Sequence, residues 1–446
     1  MKGSTLRKRA SGMALAIALA TGAVVATGTF MAEPAYAQKK KKKKDDRPEY
    51  SEEFVAAYQP LNAKVSDEFA ELSVIKPNLL ALAEMAKTPD EKNAAGGLIH
   101  NAGARMKDQA LQLQGMELWL SSGKVPIENI GRFNFVAYQL ADGQNQHAKA
   151  RTYLQEAINR NFTSQGVDAS TMQVALAESY FSEDRFEEGL GVLNSAITAR
   201  KNSGQAVSES WYRRGLTVAY NNKIEPEVYD ITLGWVADFP SDANWRDAIN
   251  LTRNLNEFEG QELLDLFRLG RQVGALQDQS DYDYYVEAAD ARRLPQEVKD
   301  VIEEGLANGV VSRDNLFLTE ALQTAQGRIQ SDRADLPALE SDASAAGAGL
   351  RTVVAAGDAF LSYEEYGKAA QFYEKALGMA GVDAQRTLTR LGIAQVMLGN
   401  HEAGKSSLAK VQGAREPIAR LWSTFASMQQ GGAVSAGVAT ETTIGG

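Results

Sequence analysis

The chain holds three histidines and no cysteine, so it has few residues with which to build a metal or nucleophilic centre. His100, His147 and His401 stand far apart in sequence, no HExxH or Walker motif surrounds them, and each reads as a structural or solvated residue. The run "DQSDYDYY" brings Asp278, Asp281 and Asp283 together. A calcium loop would add a central glycine and a distal glutamate; both are missing, so the run reads as a solvated helix start. Tyr282, Tyr284 and Tyr285 offer rings that could stack on a ligand, yet Tyr282, Tyr285 and Ala289 share one helix face and fit a packed interface better. Trp211, Trp235 and Trp245 read the same way, and Trp422 reads as the anchor of the last helix. These residues point to no catalytic residue, metal site or cofactor, and hence to a protein that is not an enzyme.

Charge narrows the classes further. Lys and Arg number 47 against 57 Asp and Glu, a net charge of -10. Residues 1–37 read as a secretory signal, with Lys2, Arg7, Lys8 and Arg9 before an apolar run and Ala35-Tyr36-Ala37 as a small-x-small cleavage site. A competing reading keeps Met13 to Phe30 as an uncleaved anchor, although that stretch is rich in Ala and Gly and short for a span. Cleavage after Ala37 leaves 43 basic residues against 56 acidic, a sign that opposes nucleic acid. The expected location is periplasmic or secreted, in a bacterium. The exception to the acidic balance is Lys39 to Lys44, six lysines within a basic leader spanning 38–48 that self-repulsion should keep disordered. That run is either a solvated leader or an electrostatic tether to an anionic envelope surface such as lipid headgroups or cell-wall polymer.

The elements that must position everything else are helices. Nearly every segment after Tyr50 has helical periodicity, and most of the 11 prolines fall where a helix should begin or end. The predicted fold class is all-α. Residues 49–124 form a less regular helical region, with helices expected over Glu52–Ala70 and Pro77–Lys87 and one long stretch over Glu91–Ser121, weakened at Gly96 and Gly97. Helix pairs of similar size recur over 125–340, a composition change at Glu340–Gly349 precedes two clearer pairs over 341–428, and 429–446 reads as a disordered tail. In the pair around Phe133–Asn159 the first helix fits only with a turn one residue shorter.

One pattern organises these pairs. Gly357, Phe360, Tyr366, Ala369, Tyr373 and Ala376 recur as Gly392, Gln395, His401, Gly404, Leu408 and Val411, each 35 residues on, and earlier as Ala177, Tyr180, Phe186, Gly189, Leu193 and Ala196. Residues three and four apart share a helix face, so each unit is a helix hairpin whose small residues let the helices approach and whose large ones fill the space beside them. Such a hairpin cannot bury its apolar face alone and must stack into an α-solenoid of antiparallel hairpins. The pattern resembles the tetratricopeptide repeat family, with Gln395, His401 and Gly404 departing from it. That resemblance implies a concave groove lined by the first helices: Arg351, Val354, Asp358 and Leu361 in one repeat, Arg386, Thr389, Ile393 and Val396 in the next, and Thr171, Val174, Glu178 and Phe181 in the earlier one. Family members that clamp a carboxylate tail use Lys and Asn where this chain has Val354 and Asp358, or Thr389 and Ile393. A protein or peptide with an apolar anchor is therefore the expected partner. The function expected is a scaffold or assembly factor at the cell envelope. The alternatives are an all-α envelope enzyme acting on cell-wall glycan and a membrane-tethered structural protein.

Overall fold

Short polar side chains start many of the helices by accepting a hydrogen bond from an otherwise unpaired backbone N–H. Ser51 accepts from Phe54, Asp108 from Leu111 and Ser241 from Asn244, while Thr88 with Glu91 and Asp168 with Thr171 form reciprocal capping boxes. The computed structural model describes residues 48–440 and divides between Asn222 and Lys223 into two units. The leader over 1–37, Lys39 to Lys44 and residues 441–446 lie outside the described residues.

The first unit holds α1 (Glu52–Ser66), α2 (Lys76–Met85), α3 (Pro89–Met106), α4 (Gln109–Ser121), α5 (Ile127–Asp142), α6 (His147–Asn159), α7 (Ala169–Phe181), α8 (Phe186–Asn202) and α9 (Glu209–Asn221). The second holds α10 (Glu225–Asp238), α11 (Asp242–Leu255), α12 (Gly260–Gln272), α13 (Gln279–Ala289), α14 (Pro295–Ala307), α15 (Leu316–Ser344), α16 (Leu350–Ser362), α17 (Tyr366–Leu377), α18 (Ala384–Met397), α19 (His401–Leu408) and α20 (Glu416–Thr440). No strand occurs among the described residues, and consecutive helices pack as pairs: the expected all-α solenoid of hairpins. No helix among them is long and apolar enough to cross a membrane.

The hairpins share one turn. Lys107, Asn145, Asp184, Glu364 and Gly399 each adopt the left-handed conformation two residues before the second helix of a pair. The next N–H donates to a carbonyl five residues back: Asp108 to Gly103 at 2.8 Å, Gln146 to Ala141 at 2.9 Å, Arg185 to Tyr180 at 3.1 Å, Glu365 to Phe360 at 2.9 Å and Asn400 to Gln395 at 2.8 Å. This is the Schellman closure, which satisfies carbonyls that the helix end leaves unpaired. The turn residues stand 38 and 39 positions apart in the first unit (Lys107, Asn145, Asp184) and 35 apart in the second (Glu364, Gly399).

Several expectations need correction. The α5–α6 turn is not shortened: it has the common geometry, and Tyr138 simply occupies the place that Ala177 and Gly357 hold in the later pairs. The stretch Glu91–Ser121 is two helices, and its glycines mark their contact: a Cβ on Gly115 would lie 2.4 Å from the His100 backbone nitrogen, and one on Gly96 2.7 Å from that of Trp119. Helix α1 stops at Ser66, where Asp67 turns extended. The composition change at Glu340–Gly349 is the end of the 29-residue α15 and the turn into α16, within one unit. Residues 429–440, expected without structure, continue α20, in which no proline or charged residue interrupts the Ala- and Val-containing run.

In the second unit the stack folds back on itself. Helices α12 and α20 pack on α18, and α20 also packs on α10 and α19. Trp422, buried in α20, donates its indole N–H to the Asp265 carbonyl of α12 at 2.9 Å, so the last helix is pinned as its tryptophan suggested.

Candidate functional site

Counting back from the left-handed turn residue places each first helix in register. Positions 13, 9 and 6 residues before it give Arg132, Val136 and Gln139 on α5, Thr171, Ala175 and Glu178 on α7, Arg351, Ala355 and Asp358 on α16, and Arg386, Arg390 and Ile393 on α18. Counted from Lys223, itself left-handed, the same positions on α9 are Ser210, Arg214 and Thr217. On α5, α7 and α9 all nine are half-buried or exposed. Three first helices thus present one repeating stripe of small and polar side chains.

The stripe carries an ion pair. Glu178 accepts two bonds from Arg214 on the next first helix, Nε to Oε1 at 2.8 Å and Nη2 to Oε2 at 2.7 Å, and the same guanidinium stacks on the ring of Phe181 with its carbon 5.2 Å from the centroid. This bidentate bond from Glu178 raises the pKa of Arg214. Both side chains are one-quarter exposed, so water screens the pair.

In the second unit the same positions, six and nine before the turn, hold Asp358 and Arg390, and they pair again: Arg390 Nη1 donates to Asp358 Oδ1 at 2.6 Å. Here the α18 part of the face is covered, while Arg351 and Ala355 on α16 stay exposed. Arg390 Nε donates to Asp265 of α12 at 3.1 Å and Nη2 to Gln261 at 2.9 Å, leaving the side chain 1% exposed. Asp265, fully buried, also accepts from Arg268 at 2.9 Å and from Arg415 at 2.6 Å. Arg268 grips Glu297 of α14 through two bonds of 2.7 Å, and Glu297 and Asp358 each accept a tyrosine hydroxyl, from Tyr285 at 2.9 Å and Tyr373 at 2.8 Å. Arg386 adds a bond to Asp358 at 2.6 Å. Four arginines and three carboxylates are therefore locked together, all buried except the half-buried Arg386 and Asp358 at the edge, with Glu262 3.5 Å from Arg415 as a fourth acid.

Burial works to raise the carboxyl pKa values of Asp265, Glu297 and Asp358, but the guanidinium groups around them prevail and hold all three below the usual range. Burial and the charge of Glu297 push the Tyr285 hydroxyl far up, and burial with Asp358 does the same to Tyr373. Such carboxylates stay ionised and paired. A general acid would need the opposite shift.

The groove residues expected from sequence fall into two groups. Leu361, Thr389, Ile393 and Val396 are buried, as are Val174 and Phe181: in these repeats positions ten and three before the turn lie in the packed interior except at Val354, and Ile393 lies under α12 and α20. Arg351 is exposed; Thr171, Val354, Asp358, Arg386 and Glu178 are half-buried. Leu361 and Ile393 line, with Arg268, Arg271, Tyr366 and Trp422, a cavity of about 30 Å³, space for no more than a water or two.

The remaining candidates have structural roles. Asp278 and Asp281 form the capping box of α13, Asp283 accepts from Asn315 at 2.8 Å, and Tyr282, Tyr285 and Ala289 are core residues. His100 sits 3.3 Å from the Gln112 carbonyl, its pKa lowered by burial, and His147 and His401 begin α6 and α19. No group of three or more potential metal ligands stands together among the described residues. Asp265, Arg268, Glu297 and Arg415 were not anticipated. Asp265 and Arg268 left one signal, an acid and a base three apart inside the apolar run "LLDLFRLG", while Glu297 and Arg415 left none. Neither a family of known proteins nor a curated protein matches the chain.

Proposed function

We propose that this is an exported, non-enzymatic helical-repeat protein of tetratricopeptide type that holds a protein or peptide partner, as a scaffold or assembly factor at the cell envelope. The observation that carries the reading is the uncovered stripe on α5, α7 and α9, repeated at 39-residue spacing, with the half-buried Glu178–Arg214 pair at its centre. Stacked first helices offer an extended segment a row of equivalent positions. The binding face belongs to the first unit, because α12 and α20 cover the equivalent face of α18. The lysines at 39–44 add electrostatic attachment to an anionic envelope surface.

The test is affinity capture from envelope extract with the full chain beside a Gln139→Arg, Thr217→Arg variant. Both side chains are exposed on the stripe, so the fold is untouched and thermal melts should coincide. One or a few proteins retained by the first and lost from the second support the reading. Identical retention by both, or no retention, overturns it.

A further inference from the structure

The loop between α1 and α2 carries a side chain that the fold does not use. Phe69 is 95% exposed and Val74, five residues on, is 63% exposed. The backbone that presents Phe69 is nonetheless held in place. Its N–H donates to Asp67 Oδ1 at 3.0 Å, the Ala70 N–H donates to the Asp67 carbonyl at 3.2 Å, and the Arg105 guanidinium of α3 donates to the carbonyls of Val65 at 2.6 Å and Glu68 at 3.0 Å. Val65 on one side and Leu72 and Ile75 on the other are buried in the core of α1 to α4. The ordering that binding normally costs is thus already complete around an aromatic ring.

The surroundings of the ring specify what it meets. Asp67, Glu68 and Glu71 flank it, and none of the three forms an ion pair among the described residues; Asp67 caps the turn and Glu71 accepts only from Ser73 Oγ at 3.0 Å. Lys64 in the last turn of α1 and the Arg105 guanidinium on the loop carbonyls are the cations set against them. A phenylalanine on a loop that is net acidic, three carboxylates against Lys64 and Arg105, is disfavoured at an anionic lipid surface and against another copy of this acidic chain, and complements an apolar pocket with a cationic rim. We propose that loop 67–75 is a second docking element, inserting Phe69 into an apolar pocket of a different protein rimmed by lysine or arginine. It is separate from the α5, α7, α9 stripe and does not depend on it.

The experiment places the photo-crosslinker p-benzoylphenylalanine at position 69 of the full chain in the cells that make it. The expected result is an adduct to one other protein that falls about tenfold with Glu68→Lys and Glu71→Lys, and equally in 1 M salt. With that protein purified, Phe69→Ala should weaken binding about thirtyfold or more, while thermal melts stay unchanged. An adduct unaffected by charge reversal, an adduct to lipid or to a second copy, or no adduct overturns the proposal. The Gln139→Arg, Thr217→Arg variant should keep the adduct, which separates this element from the stripe.

Discussion

Glu178–Arg214 and Asp358–Arg390 are acid–arginine pairs at the same repeat positions, the first one-quarter exposed on both sides, the second 13% exposed at Asp358 and 1% at Arg390. In the first unit nothing has to be added to the pair: water solvates its outer side, and the geometry is bidentate. In the second, covering the pair removes that water, and the interior supplies Asp265, Gln261 and further arginines as partners in its place. Covering one pair has recruited a network, because an isolated buried charge costs several kcal/mol. The difference teaches that a repeat position can serve either as surface or as a fastening, and that the deciding factor is whether another helix lies over it.

The largest expected effect comes from removing the shared acid. Asp265→Ala strands Arg268, Arg390 and Arg415, and urea unfolding should show a loss of about 3–5 kcal/mol, against at most about 1 kcal/mol for Glu178→Ala. If the two variants lose equal stability, the second pair is not covered.

Acid should do by protonation what that substitution does by deletion. The folded pKa values of Asp265, Glu297 and Asp358 lie below their ordinary values of 3.8 and 4.5. Their contribution is therefore complete above those values and lost as pH falls through the lower folded ones. Glu91 in the first unit behaves alike: burial works to raise it, but N–H groups of Thr88, Ser51 and Lys87 and the Ser51 hydroxyl bring it from 4.5 to about 2. The urea midpoint should fall between about pH 5 and pH 2, and more shallowly in Asp358→Asn.

Double-mutant cycles sharpen the comparison. The Asp358–Arg390 coupling should be about 2–3 kcal/mol and little changed by 1 M salt, while Glu178–Arg214 should give about 0.5–1 kcal/mol and vanish there. The smallest effect concerns the common turn. Glu364 holds a left-handed conformation that Gly399 meets without a Cβ, so Glu364→Gly should stabilise by about 0.5–1 kcal/mol in the same assay.

How much of this was legible in the sequence follows from the range of each interaction. The hairpins over Met172–Ile197 and Gly357–Val411 were readable because their small and large residues meet within one turn of neighbouring helices: a Cβ on Gly357 would lie 2.7 Å from the Tyr373 ring, and one on Gly392 2.5 Å from Leu408. The α3–α4 hairpin was not, since glycine reads locally as a weak helix former and only the partner helix reveals its use as a contact surface. The repeat spacing includes positions ten and three before the turn in the groove, yet the side chains assigned there, Val354 excepted, are buried. One residue of helix is a rotation of 100°, enough to exchange solvent for core. The Asp265 network was illegible for a different reason: Arg390 and Arg415 reach it from 125 and 150 residues away, and no local pattern records that α12 lies over α18.

Carboxyl footprinting of the intact chain, read residue by residue by mass spectrometry, tests the central contrast most directly. Glu178 should be modified about tenfold or more faster than Asp358 and Asp265, whose oxygens are enclosed by arginines. Equal rates at Glu178 and Asp358 would mean that the α16–α18 face is as open as that of α7 and α9, and would contradict the account.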